Sequence, residues 1–120
     1  YELAPRQGMD FHYHLQREEL MVVLEGTVAV RTAEGWEDVP EGGVVAFPRG
    51  EGGVHGYENR GDRPVRLLMF SEQNAPNVSV YPDAKQVGIY DVADPDERRF
   101  GALFDLADAV SGYGGGRPAP

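Results

Sequence analysis

The chain carries three histidines, and two of them stand one residue apart in Phe11-His12-Tyr13-His14-Leu15-Gln16-Arg17-Glu18-Glu19. Side chains at i and i+2 of a strand share a face, so His12 and His14 aim two imidazoles at one point. Imidazole is the commonest side-chain ligand for metals. A turn at Gln16-Arg17 would bring the Glu19 carboxylate back to the same place. The spacing suggests a metal site; the remaining histidine is His55. Glu18 points away from Glu19 in a strand and is expected in solvent. Asp10 shares the His12 face of a regular strand and is expected at its rim.

The elements that must position these groups are short. Residues 1–8 read as a strand or arm ending at a turn. Residues 9–15 alternate, with Met9, Phe11, Tyr13 and Leu15 on the face away from the histidines. Residues 20–24 are a continuous apolar run, consistent with a strand buried on both faces. Strands over 27–32, 36–39 and 44–47 follow, separated by Gly-containing turns and stopped by Pro48. Arg49-Gly50-Glu51-Gly52-Gly53 has no Lys and no helix led by Ser or Thr after it, so it reads as a sharp turn and not a phosphate cradle. Residues 54–59 resume the extended pattern, and 65–70 and 77–81 complete the strand series. Such short strands at even spacing predict an all-β sandwich or barrel.

From residue 82 the character changes. Residues 82–97 are polar and rich in Pro and Asp. Phe100, Leu103, Phe104, Ala107 and Val110 recur at helical spacing, with Asp94 or Asp96 as caps, which predicts a short amphipathic helix against the barrel. The Gly-rich stretch 114–118 reads as a frayed tail. The expected organisation is a β-barrel over residues 1–81 and an extension over 82–120.

Composition narrows the partners. A net charge of -9 and a pI near 4.7 argue against binding to nucleic acid, whose phosphates attract basic surfaces. No apolar run reaches the ~18 residues of a membrane span. There is no cysteine, so disulfides and thiolate ligands are excluded and the redox compartment is left open; a cytoplasmic location is the expectation.

Residues 12–59 resemble the cupin superfamily, as in its small single-domain members. The first motif of that family is matched by His12-Tyr13-His14, Glu19 and Gly26, with Gly8 near the usual leading glycine, and the second by Gly42, Pro48, Gly50, His55 and Asn59. One departure is that four residues separate Gly50 from His55 where the usual pattern has two. The resemblance implies an antiparallel jelly-roll β-barrel holding one divalent metal through His12, His14, Glu19 and His55. Two histidines on one strand, a carboxylate across a hairpin and a histidine from a remote strand converge only if the sheet closes. Three imidazoles and a carboxylate suit Zn, Fe, Mn, Ni, Co or Cu. A tetrahedral zinc would be saturated by them, whereas an octahedral metal would keep two open positions.

Around that site Met21 and Tyr57 are candidates for pocket lining, with core filling suiting them equally. Asn59 suits a structural role at a turn, and Arg66 suits a surface salt bridge better than an anionic substrate. The resemblance also implies a homodimer, which would cover Phe11, Tyr13 and Leu15; the C-terminal helix is the competing cover. The expected function is metal-dependent action on a small molecule, as a dioxygenase, decarboxylase, isomerase or lyase. A non-catalytic binding or sensor module and a structural metal cupin are the alternatives, because one fold hosts many chemistries.

Overall fold

The structure is a computed structural model that describes residues 1–92 and 94–110. Short apolar and alternating runs between Gly, Pro and Asx turns form strands, eleven among the described residues. They are β1 (Glu2–Leu3), β2 (Gly8–His14), β3 (Glu19–Glu25), β4 (Thr27–Thr32), β5 (Gly35–Pro40), β6 (Val44–Phe47), β7 (His55–Glu58), β8 (Val65–Ser71), β9 (Asn77–Tyr81), β10 (Gln86–Tyr90) and β11 (Gly101–Asp105). They make two antiparallel sheets, β1-β8-β3-β6 and β11-β10-β9-β2-β7-β4-β5. The all-β jelly-roll barrel expected from the sequence is what the chain adopts. No helix among the described residues is long and apolar enough to cross a membrane.

Alternation along the strands fills the space between the sheets. Met21 and Val23 of β3, Phe47 of β6 and Val65 and Leu67 of β8 face Val28 and Val30 of β4 and Tyr57 of β7. Burying each such side chain stabilises the fold by roughly 1.5–3 kcal/mol.

Three local expectations need correction. First, β3 is not buried on both faces: Leu20 and Val22 are half-buried and Leu24 is exposed. The four-stranded sheet has only one covered side, so Val44, Leu68 and Phe70 stand exposed on the same outer face. Second, β2 is not a regular strand. Met9 lies opposite Tyr57 and His12 opposite His55, with a register shift between them. A bulge sets two residues against one. It brings Met9, rather than Asp10, to the histidine side, and Asp10 is exposed.

Third, the amphipathic helix expected from Phe100 to Val110 is mostly a strand. In β11, Ala102 pairs with Ile89 and Phe104 with Val87, and β10 in turn pairs with β9. A ladder offers every backbone group of this segment a partner, and that outweighs a weak 3–4 spacing of apolar residues. The helical content of this segment is one 3-10 turn, Leu106–Asp108. Asp94 caps a turn by accepting the Asp96 N–H at 2.8 Å. The expected tail at 114–118 lies outside the described residues.

Candidate metal centre

His12 and His14 leave β2, His55 leaves β7 and Glu19 leaves β3. The central position of β2 explains the convergence: it runs between β7 and β9, with His12 opposite His55 and His14 opposite Ser79. Glu19 sits in the other sheet, opposite Phe47 and Ser71. The carboxylate therefore meets the imidazoles across the gap between the sheets. Donor atoms of His12, His14 and Glu19 lie within 4.8 Å of one another, a group able to hold a metal ion. His55 Nε2 is 3.8 Å from Glu19 Oε1, and the His55 and His12 ring centroids are 4.6 Å apart.

Each imidazole is held by its outer nitrogen. His12 Nδ1 donates to the Asp10 carbonyl at 2.7 Å and His55 Nδ1 to the Gly53 carbonyl at 2.8 Å. His14 Nδ1 reaches Asn77 Oδ1 and Ser79 Oγ, both at 3.0 Å. These bonds put the proton on Nδ1 and leave a lone pair on each inward Nε2. His14 Nε2 touches Glu19 Oε1, so two lone-pair atoms face each other. Among the described residues, Glu19 Oε1 and His55 Nε2 are buried with no hydrogen-bond partner. An unpaired buried polar atom costs about 1–3 kcal/mol. Imidazole nitrogens and a carboxylate are donors a divalent transition metal takes, and those of His12, His14 and Glu19 already stand close enough to share one, with His55 beside Glu19.

The protonation states agree. Burial lowers the His12 imidazole and takes His55 down to about 4, so both are neutral at physiological pH, the form that ligates metal. Burial pushes the Glu19 carboxyl up; a hydrogen bond and charge from His14 when that imidazole carries its second proton, with charge from His55 and His12, outweigh burial and hold it below its usual range.

The lengthened loop before His55 forms a 3-10 turn over Glu51–Gly53. Gly50 adopts φ 77°, and its N–H donates to the His14 carbonyl at 2.8 Å. A Cβ at Gly53 would stand 1.7 Å from the Pro48 carbonyl oxygen. Gly50 thus ties the loop to β2, and the turn presents the Gly53 carbonyl to His55. The Phe47 ring stacks on the other side of His55, 3.7 Å between centroids.

The donor atoms open on a cavity of about 570 Å³. Tyr57 lines it; Met21 is 0% exposed in the core and is not among the lining residues. Asn59 is structural, donating to the Leu3 and Arg63 carbonyls at 2.9 and 2.7 Å. Glu18 is exposed, 3.9 Å from Arg49, and Arg66 is an exposed partner of Glu25 at 3.9 Å. Phe11 is covered not by a helix but by the Arg31 guanidinium, 3.9 Å above its ring.

Other lining residues escape a motif-based reading. Asn77, Ser79 and Tyr81 line the cavity from β9, and the alternation Asn-Val-Ser-Val-Tyr carried that signal, with its polar members on one face. Arg17 lines the cavity from what reads as a plain turn, and Tyr90 and Arg98 reach it from the extension; no local pattern marks these three.

The sequence profile described as Cupin domain matches residues 1–71. A comparison with curated proteins finds no match. Among solved structures, the sugar phosphate isomerase from a cupin superfamily of Silicibacter pomeroyi DSS-3 is similar with TM-score 0.74 and 22% identity, over 99% of this chain and 68% of that one. A provisional sugar phosphate isomerase from Acidithiobacillus ferrooxidans gives 0.78 and 21%, over 92% and 67%. A Thermus thermophilus protein gives 0.54 and 31%, over 59% and 66%. The first two likenesses are of fold. The profile spans more than half of the chain and the structure has the two-sheet barrel, so the chain belongs to the cupin family.

Proposed function

We propose that the protein binds one divalent transition-metal ion through His12, His14, His55 and Glu19 and acts on a small oxygen-rich molecule in the adjoining cavity. The observation that carries this reading is the inward set of buried acceptor atoms without hydrogens between them, Glu19 Oε1 and His55 Nε2 foremost. When bound, the ion supplies Lewis-acid polarisation of a substrate oxygen. The residues of the chain orient the imidazoles, exclude water and supply donors. Burial pushes the phenols of Tyr57 and Tyr81 up to about 12. Both keep their protons at neutral pH and act as hydrogen-bond donors, not as bases.

Two structures that match nearly the whole chain carry the name sugar phosphate isomerase, so isomerisation of a sugar phosphate is the first chemistry to assay. Protein purified without chelator is expected to hold about one divalent metal per chain by elemental analysis, and metal-free wild-type protein sinks the proposal. A second reading, a binding or sensor module, is favoured by one feature: among the described residues Glu19 is the only carboxylate lining the cavity, which leaves no separate general base. Binding without turnover by metal-loaded protein would select it.

The occupant proposed for the outer face of the four-stranded sheet is a second copy of the chain. Leu20 stands between Ala46 and Phe70, and Val22 between Val44 and Leu68, a block of six apolar residues. Leu68→Arg is expected to shift a dimer to monomer in size-exclusion with light scattering; a monomeric wild-type protein overturns the assignment.

A further inference from the structure

The cavity is charged against the character of the protein. The chain has 20 acidic residues and a net charge of -9, yet among the described residues Glu19 alone of these acids lines the cavity, against two arginines, Arg17 and Arg98. With a divalent ion at the histidines the interior would be net cationic. Arg17 is buried, and its Nε and Nη2 donate to the Asn74 carbonyl at 3.2 and 2.6 Å. Guanidinium carries five N–H donors, so this anchoring sets its plane and leaves donors for a ligand. Arg98 is half-buried in the segment between β10 and β11, stacked 4.6 Å over the Tyr90 ring. The Arg98 Nε–H also donates to the Val92 carbonyl at 3.4 Å, so stacking and this bond fix the guanidinium plane at the cavity as the Asn74 carbonyl fixes that of Arg17. Tyr90 lines the cavity beside Arg98.

We infer that the cavity selects anionic small molecules, with Arg98 and Arg17 taking a phosphate or carboxylate group while the oxygen donors of the same molecule face the histidines. The inner half of this arrangement rests on the metal-centre reading; the arginine half does not. Phosphate and carboxylate share the chemistry, and the test separates them.

The probes are glycerol 3-phosphate, glycerate and glycerol, one three-carbon skeleton with different charge, titrated calorimetrically into the protein as purified and after chelation. At least one anion is expected to bind, with glycerol about tenfold weaker or worse, as the loss of a charge-assisted hydrogen bond implies. The stronger anion names the substrate class. Arg98→Gln is expected to remove roughly tenfold of the anion affinity at unchanged metal content and melting temperature, and Arg98→Lys to restore part of it. Equal affinity in wild type and Arg98→Gln overturns the inference, as does glycerol binding as well as the anions, or no binding of either anion. Anion binding that depends on Arg98 in a protein shown to contain no metal supports the subsite and removes the metal reading alone.

Discussion

Two regions of the protein meet at the cavity and are built differently. The donors His12, His14, Glu19 and His55 all lie within the family-matched residues 1–71, on strands whose inward faces are buried. Asn77, Ser79, Tyr81, Tyr90 and Arg98 come from β9 and the later strands and loops, outside that match. There the strands run on as a sheet edge, and Leu103 and Phe104 are exposed on opposite sides of β11. The first region holds the candidate donors on buried or half-buried positions fixed by the strand ladders. The second is held by a ladder on one edge and presents polar side chains to the cavity. The contrast sets the candidate donors, all in the barrel, against cavity-lining polar residues that come mostly from the added strands, with Arg17 the exception.

Substitutions can break this division. The largest effect is expected from the donors: His55→Ala or His12→Ala should take metal content from about one ion per chain to near zero, read by elemental analysis. Next comes the β9 contact that orients a donor. Asn77→Ala should weaken metal binding about 10–100-fold in a chelator competition, and if it does nothing, the second region has no hold on the first. Arg98→Gln should leave metal affinity unaltered, which would place it wholly on the ligand-choosing side.

A smaller effect concerns pH. His55 has a folded-state value of about 4, against about 6.5 in an unfolded chain. Between these values the unfolded chain binds the proton and the folded one does not. Stability is therefore fully present above about 6.5 and falls as pH drops toward 4. The lowered His12 and Glu19 groups act in the same direction. Melting of chelator-treated protein should show this slope, and His55→Gln should flatten it. The smallest effect is an expected silence: Asp10→Ala should change neither metal affinity nor melting by more than about 0.5 kcal/mol, since that side chain is exposed.

The legibility of the two regions differs for physical reasons. The barrel strands and the four donors are readable because i, i+2 alternation and turn chemistry are local, and burial on one face enforces them. The bulge in β2 is not, because it depends on how Gly56 meets Met9 and Phe11 across the ladder. The misread stretch 100–110 fails for the opposite reason. Both faces of β11 are largely exposed, so no alternation is imposed on it, and the spacing of its apolar residues imitates a helix. Arg17 and Arg98 are invisible as cavity residues because nothing in a turn or a polar loop records where its arginines reach.

The bulge carries one more consequence. Two of the three imidazoles are steered by peptide carbonyls, those of Asp10 and Gly53, each two positions before its histidine. Main-chain oxygen has no residue identity, so drift in the side chain at position 10 leaves the steering intact, and a scan of side-chain replacements passes over it without a signal. Position 53 reports itself only through crowding against Pro48. What these positions transmit between generations is the length of the chain: a one-residue deletion at the bulge would straighten the ladder and strip His12 of its acceptor while every donor stayed in the sequence.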